Sequence, residues 1–361
     1  MLDRRFFLVA VALSFLVSTA ESSLANSAEQ ILAEVNKLPA VERQKRLEEG
    51  ARKEGVIKFA SNESVESIKI LHGAFAARYP FIKVESWRAP GLRGVTRIIL
   101  EYRAGKLDTD VIGIPFEGVL QAEKERIWAR YESPERSHYS HAVKDKAGYW
   151  TSSHLSILAI GYNSKMVRPD EAPRGYADLL HPRFKGELSI DTDPHRAVMA
   201  WLTSWGEVKT REYIGSLLRN GMMPRKGHTL QTQLLCAGEF KVGVELHAYQ
   251  VMQAKREKRC PIDMAFGDPA PGSTGSHIGI TKSAPHPHAA ALFLDFALSD
   301  TGAKIIADSG RIPTRKGTRA RYEELSNLQE KGIKLVITLP DDAHRMEAAA
   351  EKLIKEIVKS Q

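Results

Sequence analysis

The sequence predicts an α/β protein in two lobes, and three stretches carry that expectation. Val56 to Ala60 is a short apolar run opened by Gly55, after which Val65, Ile68, Leu71, Phe75 and Tyr79 recur at three- and four-residue steps. A buried strand followed by a helix whose apolar face turns back to it is the repeating unit of a parallel sheet. Tyr149 to Asn163 is too long and too β-like for one ordinary strand, and a strand that leaves one lobe and enters the other accounts for it. Asp268 to Ser276 is rich in glycine and proline and reads as a loop, with His277 to Thr281 as the strand that returns. A length of 361 residues suits about two domains.

Taken in order, Met1 to Ala25 has the form of a cleavable signal peptide: Arg4 and Arg5, an apolar core from Phe6 to Val17, and small residues at Ser23 and Ala25. The paired arginines also match a twin-arginine signal. No cysteine stands at the cleavage position to take a lipid, and no later apolar run has the length of a membrane span. An exported protein that is not membrane-embedded is expected. Ala28 to Glu54 reads as a helical extension interrupted by Pro39. After the first strand and helix, Ile82 to Trp87 alternates as a strand does, Val95, Ile98, Ile99 and Tyr102 mark a helix ending at Gly105, and Asp110 to Ile114 is a third strand. Beyond the long strand, Gly186 to Asp191 and Lys241 to Leu246 read as strands. Helices are expected at Val198 to Trp205, Thr229 to Ala237, Ala289 to Leu298, Thr301 to Ile306 and Asp342 to Val358.

Composition narrows the function. The chain is 43% hydrophobic and 27% charged, with a formal charge of +8. The leader adds nothing to that charge, since Asp3 and Glu21 offset Arg4 and Arg5. A basic balance fits an anionic ligand, and the absence of a Lys/Arg block interleaved with aromatics argues against nucleic acid. Gly-x-Ser-x-Gly, His-Glu-x-x-His and P-loop patterns are all missing, so a secreted hydrolase or lyase is the weaker alternative and no cofactor is expected. Cys236 and Cys260 are the two cysteines. In an oxidising compartment they pair or stay as two small buried hydrophobes, and the sequence leaves both open.

The order of motifs resembles the periplasmic solute-binding proteins of ABC importers, in the branch that includes ferric-ion-binding proteins. The matching pieces are Ala51 to Gly55, Phe75 to Pro80, Glu101 to Gly105 with Asp110-Val111, Gly161-Tyr162-Asn163, Phe184-Lys185-Gly186 and Asp268-Pro269. The longest is Ala284 to Ser299 with Gly302. The resemblance covers nearly everything from Ala51 to about Gly317. It implies a type 2 periplasmic binding protein fold, each lobe a mostly parallel sheet flanked by helices, with crossing strands near His154-Leu155 and Ser273-Thr274. The expected division is a signal peptide at 1–25, a helical extension at 26–50, lobe 1 at 51–154 plus 274–324, lobe 2 at 155–273 and a C-terminal helical segment at 325–361. It further implies a monomer that holds a small molecule or ion in the interlobe cleft and closes before meeting a permease.

Strand-end loops place the candidate ligand residues: Ser61, Asn62 and Glu63 after the first strand, Arg88 after the second and Phe116 after the third. His154 and Ser273 stand at the crossings. Asp193, His195 and Arg196 open a helix of the second lobe, and His247 and Tyr249 follow its last strand. His286 and His288, which flank Pro287, are expected at the surface. Ferric-ion binders of the resembled branch present two adjacent tyrosines where this chain has Ala248 and Tyr249. One phenolate is missing, so an organic or phosphorylated anion, or an anion-chelated metal, is preferred over bare iron. The alternative is an atypical iron site at Glu63, His247 and Tyr249.

Overall fold

A computed structural model describes residues 27–359; the expected leader lies outside the described residues. Ser27 opens α1 (Ala28–Asn36) with a reciprocal cap, its hydroxyl accepting from the Gln30 amide while the Gln30 side chain accepts from the Ser27 amide. Pro39 breaks the helix as expected, and α2 (Ala40–Glu54) ends at Gly55, whose φ of 69° closes it in the left-handed region.

Two βαβ units follow: β1 (Val56–Ser61), α3 (Val65–Arg78), β2 (Lys83–Arg88), α4 (Gly91–Arg103) and β3 (Val111–Ile114). Their strands pair in parallel in the order β2, β1, β3, as the alternating pattern predicts. Ile68 and Phe75 are buried on α3, whereas Val65 at its first turn is exposed. After α5 (Val119–Lys124) comes β4 (Thr151–Asn163), the over-long strand. The second half of the chain then supplies β5 (Leu188–Asp191), α6 (His195–Arg219), β6 (Met223–Arg225), α7 (His228–Ala237), β7 (Val242–His247), α8 (Ala248–Glu257) and β8 (Ile262–Ala265). It finishes with β9 (Ala270–Ile280), α9 (Pro287–Leu298), α10 (Asp300–Asp308), β10 (Ile312–Pro313), β11 (Leu335–Thr338) and α11 (Pro340–Val358).

β4 belongs to two sheets. Up to Ile157 it pairs antiparallel with β9, and from Leu158 it pairs antiparallel with β7 and β8. The strand therefore changes sheets between Ile157 and Leu158, slightly beyond the expected His154-Leu155. The other expected crossing, Ser273-Thr274, falls inside β9, because the chain returns to the first sheet earlier, between β8 and β9. The expected loop at Asp268 to Ser276 is thus strand from Ala270 onward. Its glycines serve close approach rather than turning: a Cβ on Gly272 would lie 2.5 Å from Ile337 Cδ1, and one on Gly275 2.3 Å from His154 Nε2.

One core gathers Phe59, Phe75 and Phe293 between the first sheet, α3 and α9; a second gathers Ile190, Trp201 and Val244 with Leu353 and Ile357 of α11. The C-terminal segment touches both sides, since β11 pairs in parallel with β9 and α11 packs on α6. Cys236 and Cys260 form a disulfide with Cα atoms 5.3 Å apart, tying the end of α7 to the approach to β8. Their sequence separation is 24, and closing a loop of that length removes about 3 kcal/mol of unfolded-chain entropy. His286 and His288 are not surface residues: their Nδ1 atoms lie 3.0 Å from Asp110 and 2.6 Å from Glu54, so they brace the start of α9 on the first lobe. Among the described residues no helix is long and apolar enough to cross a membrane.

Candidate functional site

The carboxyl ends of β1, β2 and β3 face those of β5 and β7 across the point where β4 changes sheets, and a cleft of about 320 Å³ lies between them. On the first-lobe side, the loop after β1 is fixed at three points. The Ser61 hydroxyl accepts from the Glu63 amide at 3.2 Å, the Asn62 amide donates to the Gly113 carbonyl at 2.9 Å, and Ser64 caps α3 by accepting from the Ser67 amide at 3.1 Å. These bonds aim Glu63 into the cleft while Ser61 stays behind it, wholly buried. Arg88, the last residue of β2, donates from Nε to the Glu63 carbonyl at 3.0 Å.

Arg196 lies in the first turn of α6, which has no side-chain cap. It reaches across to the other lobe, pairing with Glu117 at 3.0 Å and lying 5.7 Å from the centre of the Phe116 ring. Asp193 and His195, from the same loop, instead pair with each other and do not line the cleft. Ser273 also stays outside, fully buried in β9 with an unpartnered hydroxyl. Asn62, Glu63, Arg88, Phe116 and His154 line one side; Arg196, His247 and Tyr249 line the other.

Several lining residues escape the sequence reading. Arg311 is brought in by β10, which pairs antiparallel with β4 at Ile312–Leu155 and Pro313–His154. Its guanidinium lies 2.8 Å from the Glu63 carboxylate and 4.9 Å from the centre of the Tyr249 ring. His228 opens α7 and stands between two buried carboxylates, with Nδ1 3.1 Å from Asp191 and Nε2 3.0 Å from Glu245. Both ring nitrogens face acceptors, which suits the imidazolium. Burial opposes that charge, but Glu245 and Asp191 outweigh it and the His228 pKa is raised. Asp191, His228 and Glu245 offer the one metal-ligand-like grouping among the described residues. Each nitrogen of His228 faces one of these carboxylates.

The neighbouring histidines behave oppositely. His154 and His247 are pushed well below the ordinary histidine pKa by burial first, then by nearby cations: Arg311 for His154, and His228 and Arg196 for His247. Neutral His247 pairs through Nδ1 with the Ser156 hydroxyl at 3.0 Å, and its ring lies 4.5 Å from that of His228. In the alternative metal set of Glu63, His247 and Tyr249, Arg311 lies against both Glu63 and Tyr249, and His247 Nδ1 is bonded to Ser156. Asn62 Oδ1, Arg196 Nε and Gln250 Oε1 are buried at the cleft without a partner. A buried polar group left unpaired costs about 1–3 kcal/mol, which a ligand that reaches it recovers.

The wall is electrostatically lopsided. Arg88, Arg196 and Arg311 line it, with Glu63 as the only carboxylate among the described lining residues and Glu117, just outside that lining, paired with Arg196. Gly227, His228 and Thr229 add the amino end of α7, where amides and the helix dipole favour negative charge.

Comparison with known proteins agrees with this architecture. Iron-bound HitA of Pseudomonas aeruginosa superposes with a TM-score of 0.73 at 19% identity, covering 84% of this chain and 99% of that one. AfuA of Actinobacillus pleuropneumoniae with fructose-6-phosphate superposes with a TM-score of 0.70 at 20% identity, covering 85% and 98%. At such identities the likeness is one of fold, and the fold is the two-lobe type 2 periplasmic binding protein. An uncharacterized protein of Haemophilus influenzae is 27% identical over 178 residues, 46% of this chain, and the chain spans about half of that relative's length. Residues 117–333 match the family model of the bacterial extracellular solute-binding proteins. With most of its length matched and its lobes arranged as that fold requires, the chain belongs to the bacterial extracellular solute-binding protein family.

Proposed function

We propose that the protein is the substrate-binding component of an ABC importer, exported to the periplasm as a monomer, which captures a small anionic solute between its lobes and delivers it to a membrane permease. The observation that carries this reading is the charge of the cleft: three guanidiniums from separate elements meet two carboxylates, Glu63 on Arg311 and Glu117 on Arg196, with no carboxylate on Arg88 among the described residues, and an anion supplies the missing counter-charge. The fold of AfuA, with its fructose-6-phosphate, is consistent with a phosphorylated member of that class. In this reading the two lobes meet where β4 changes sheets between Ile157 and Leu158 and where the chain returns between β8 and β9, the hinge lies at these crossings, and the protein binds without turning its ligand over.

A second reading is a ferric ion carried by an anionic chelator. Glu63, His247 and Tyr249 line the same cleft, and the structure of HitA is described as iron-bound. A thermal-shift panel separates the classes. Phosphorylated or carboxylated solutes should stabilise the protein by about 2.7 kcal/mol at a hundredfold excess over Kd, whereas polyamines and uncharged sugars should leave the melting temperature unchanged. Stabilisation by polyamines, with none from any anion, would refute the proposal.

A further inference from the structure

Arg311 occupies the ground that a metal ion would need. Hard cations take anionic oxygen donors, and the donors of that kind lining this cleft are the Glu63 carboxylate and the Tyr249 phenol. The Arg311 guanidinium lies 2.8 Å from the first and 4.9 Å from the ring centre of the second. It is held there from behind. Ile312 and Pro313 pair with the crossing strand, Arg311 Nη1 donates to the Ser309 hydroxyl at 3.1 Å, and only 12% of the side chain is exposed. His154 Nδ1, 3.5 Å from the other Glu63 oxygen, completes the surroundings of that carboxylate.

We infer that Arg311 sets the specificity of the cleft: it is a built-in cation that shields Glu63, keeps metal ions from the Glu63 and Tyr249 oxygens, and leaves Arg88, together with Arg196 in its pair with Glu117, to face an anion. The inference rests on the anion reading above and gives it a cause. Without Arg311, the Glu63 carboxylate would repel an anion and become available to a metal. Without Glu63, the cleft would carry one more uncompensated positive charge. The two substitutions therefore move anion affinity in opposite directions, which a residue of purely structural importance would not do.

The experiment uses the mature chain, with inorganic phosphate and citrate followed by calorimetry and ferric citrate followed by visible absorption. Arg311→Gln should weaken phosphate and citrate about tenfold, and Glu63→Gln should tighten them about tenfold, the scale of one charge-assisted contact. Wild-type protein should show no tyrosinate-to-iron band. Arg311→Gln should gain one that vanishes on adding Tyr249→Phe, and Arg311→Lys, which keeps the charge, should stay colourless. A band in the wild type overturns the inference, as does a folded Arg311→Gln protein without one. Should Arg311→Gln fail to fold, the Glu63→Gln arm decides alone, and unchanged or weaker anion binding there overturns the inference. Failure of the anion reading itself is distinct: the wild type would then bind neither phosphate nor citrate and respond to no anion of the thermal-shift panel.

Discussion

Replacing Arg88 and Arg196 together by alanine is expected to weaken binding of the anionic solute by roughly 3 to 6 kcal/mol, a loss of about a hundredfold to ten-thousandfold. Each guanidinium supplies one charge-assisted contact worth about 1.5 to 3 kcal/mol. The two come from different lobes, Arg88 from the end of β2 and Arg196 from the first turn of α6. Both are solvated enough that folding should survive: Arg88 is exposed, and the Arg196–Glu117 pair lies at side-chain exposures of 21% and 22%. The change should therefore appear in calorimetric affinity with little movement of the ligand-free melting temperature. Affinity within tenfold of wild type would remove these arginines from the ligand's surroundings.

Acid should destabilise the protein through its buried neutral histidines, and His277 gives the clearest case. Burial pushes its pKa from 6.5 down to about 4, with the Ile114 carbonyl opposing weakly. The ring is enclosed by the Thr274 hydroxyl at 2.9 Å, the Ile114 carbonyl at 3.3 Å and the edge-on face of Trp150. Since the folded pKa is depressed, the unfolded chain binds the extra proton first. The contribution is present above pH 6.5 and is lost as pH falls toward 4, reaching about 3 kcal/mol. His154 and His247 act in the same direction, while His228, whose folded pKa is raised, contributes below pH 6.5 and loses its contribution as pH rises. Urea midpoints for wild type and His277→Gln, measured from pH 7 to pH 4.5, isolate the one group. The wild-type curve should fall more steeply, and parallel curves would contradict the assignment.

The parts of this architecture that depend on local pattern are legible in the sequence. Glu63, Arg88 and Phe116 follow strands of two βαβ units, so chain order alone brings them to one sheet edge; Arg196, His247 and Tyr249 follow the same rule in the second lobe. The rule places loops, not individual side chains. Asp193 and His195 share a loop with Arg196 yet pair with each other, and Ser61 turns back to bond the Glu63 amide. His228 carried a partial signal in Gly227, which precedes a helix, but β6 before it is three residues long and too short to read as a strand. Arg311 carried none. Its position comes from the two-residue pairing of β10 with β4 across a long sequence separation, and nothing in Arg311-Ile312-Pro313 announces it. The misread loop at Asp268 to Ser276 has a related cause: glycine signals a turn and a close approach alike, and only the neighbouring strand reveals which.

The most direct test of an anion held between the lobes is a crystal structure with the tightest-binding anion of the thermal-shift panel. Density for that anion should lie in the cleft between Arg88 and Arg196, with Arg311 still on Glu63. A bare cation bridging Glu63 and Tyr249, or an anion bound outside the cleft, would contradict the account.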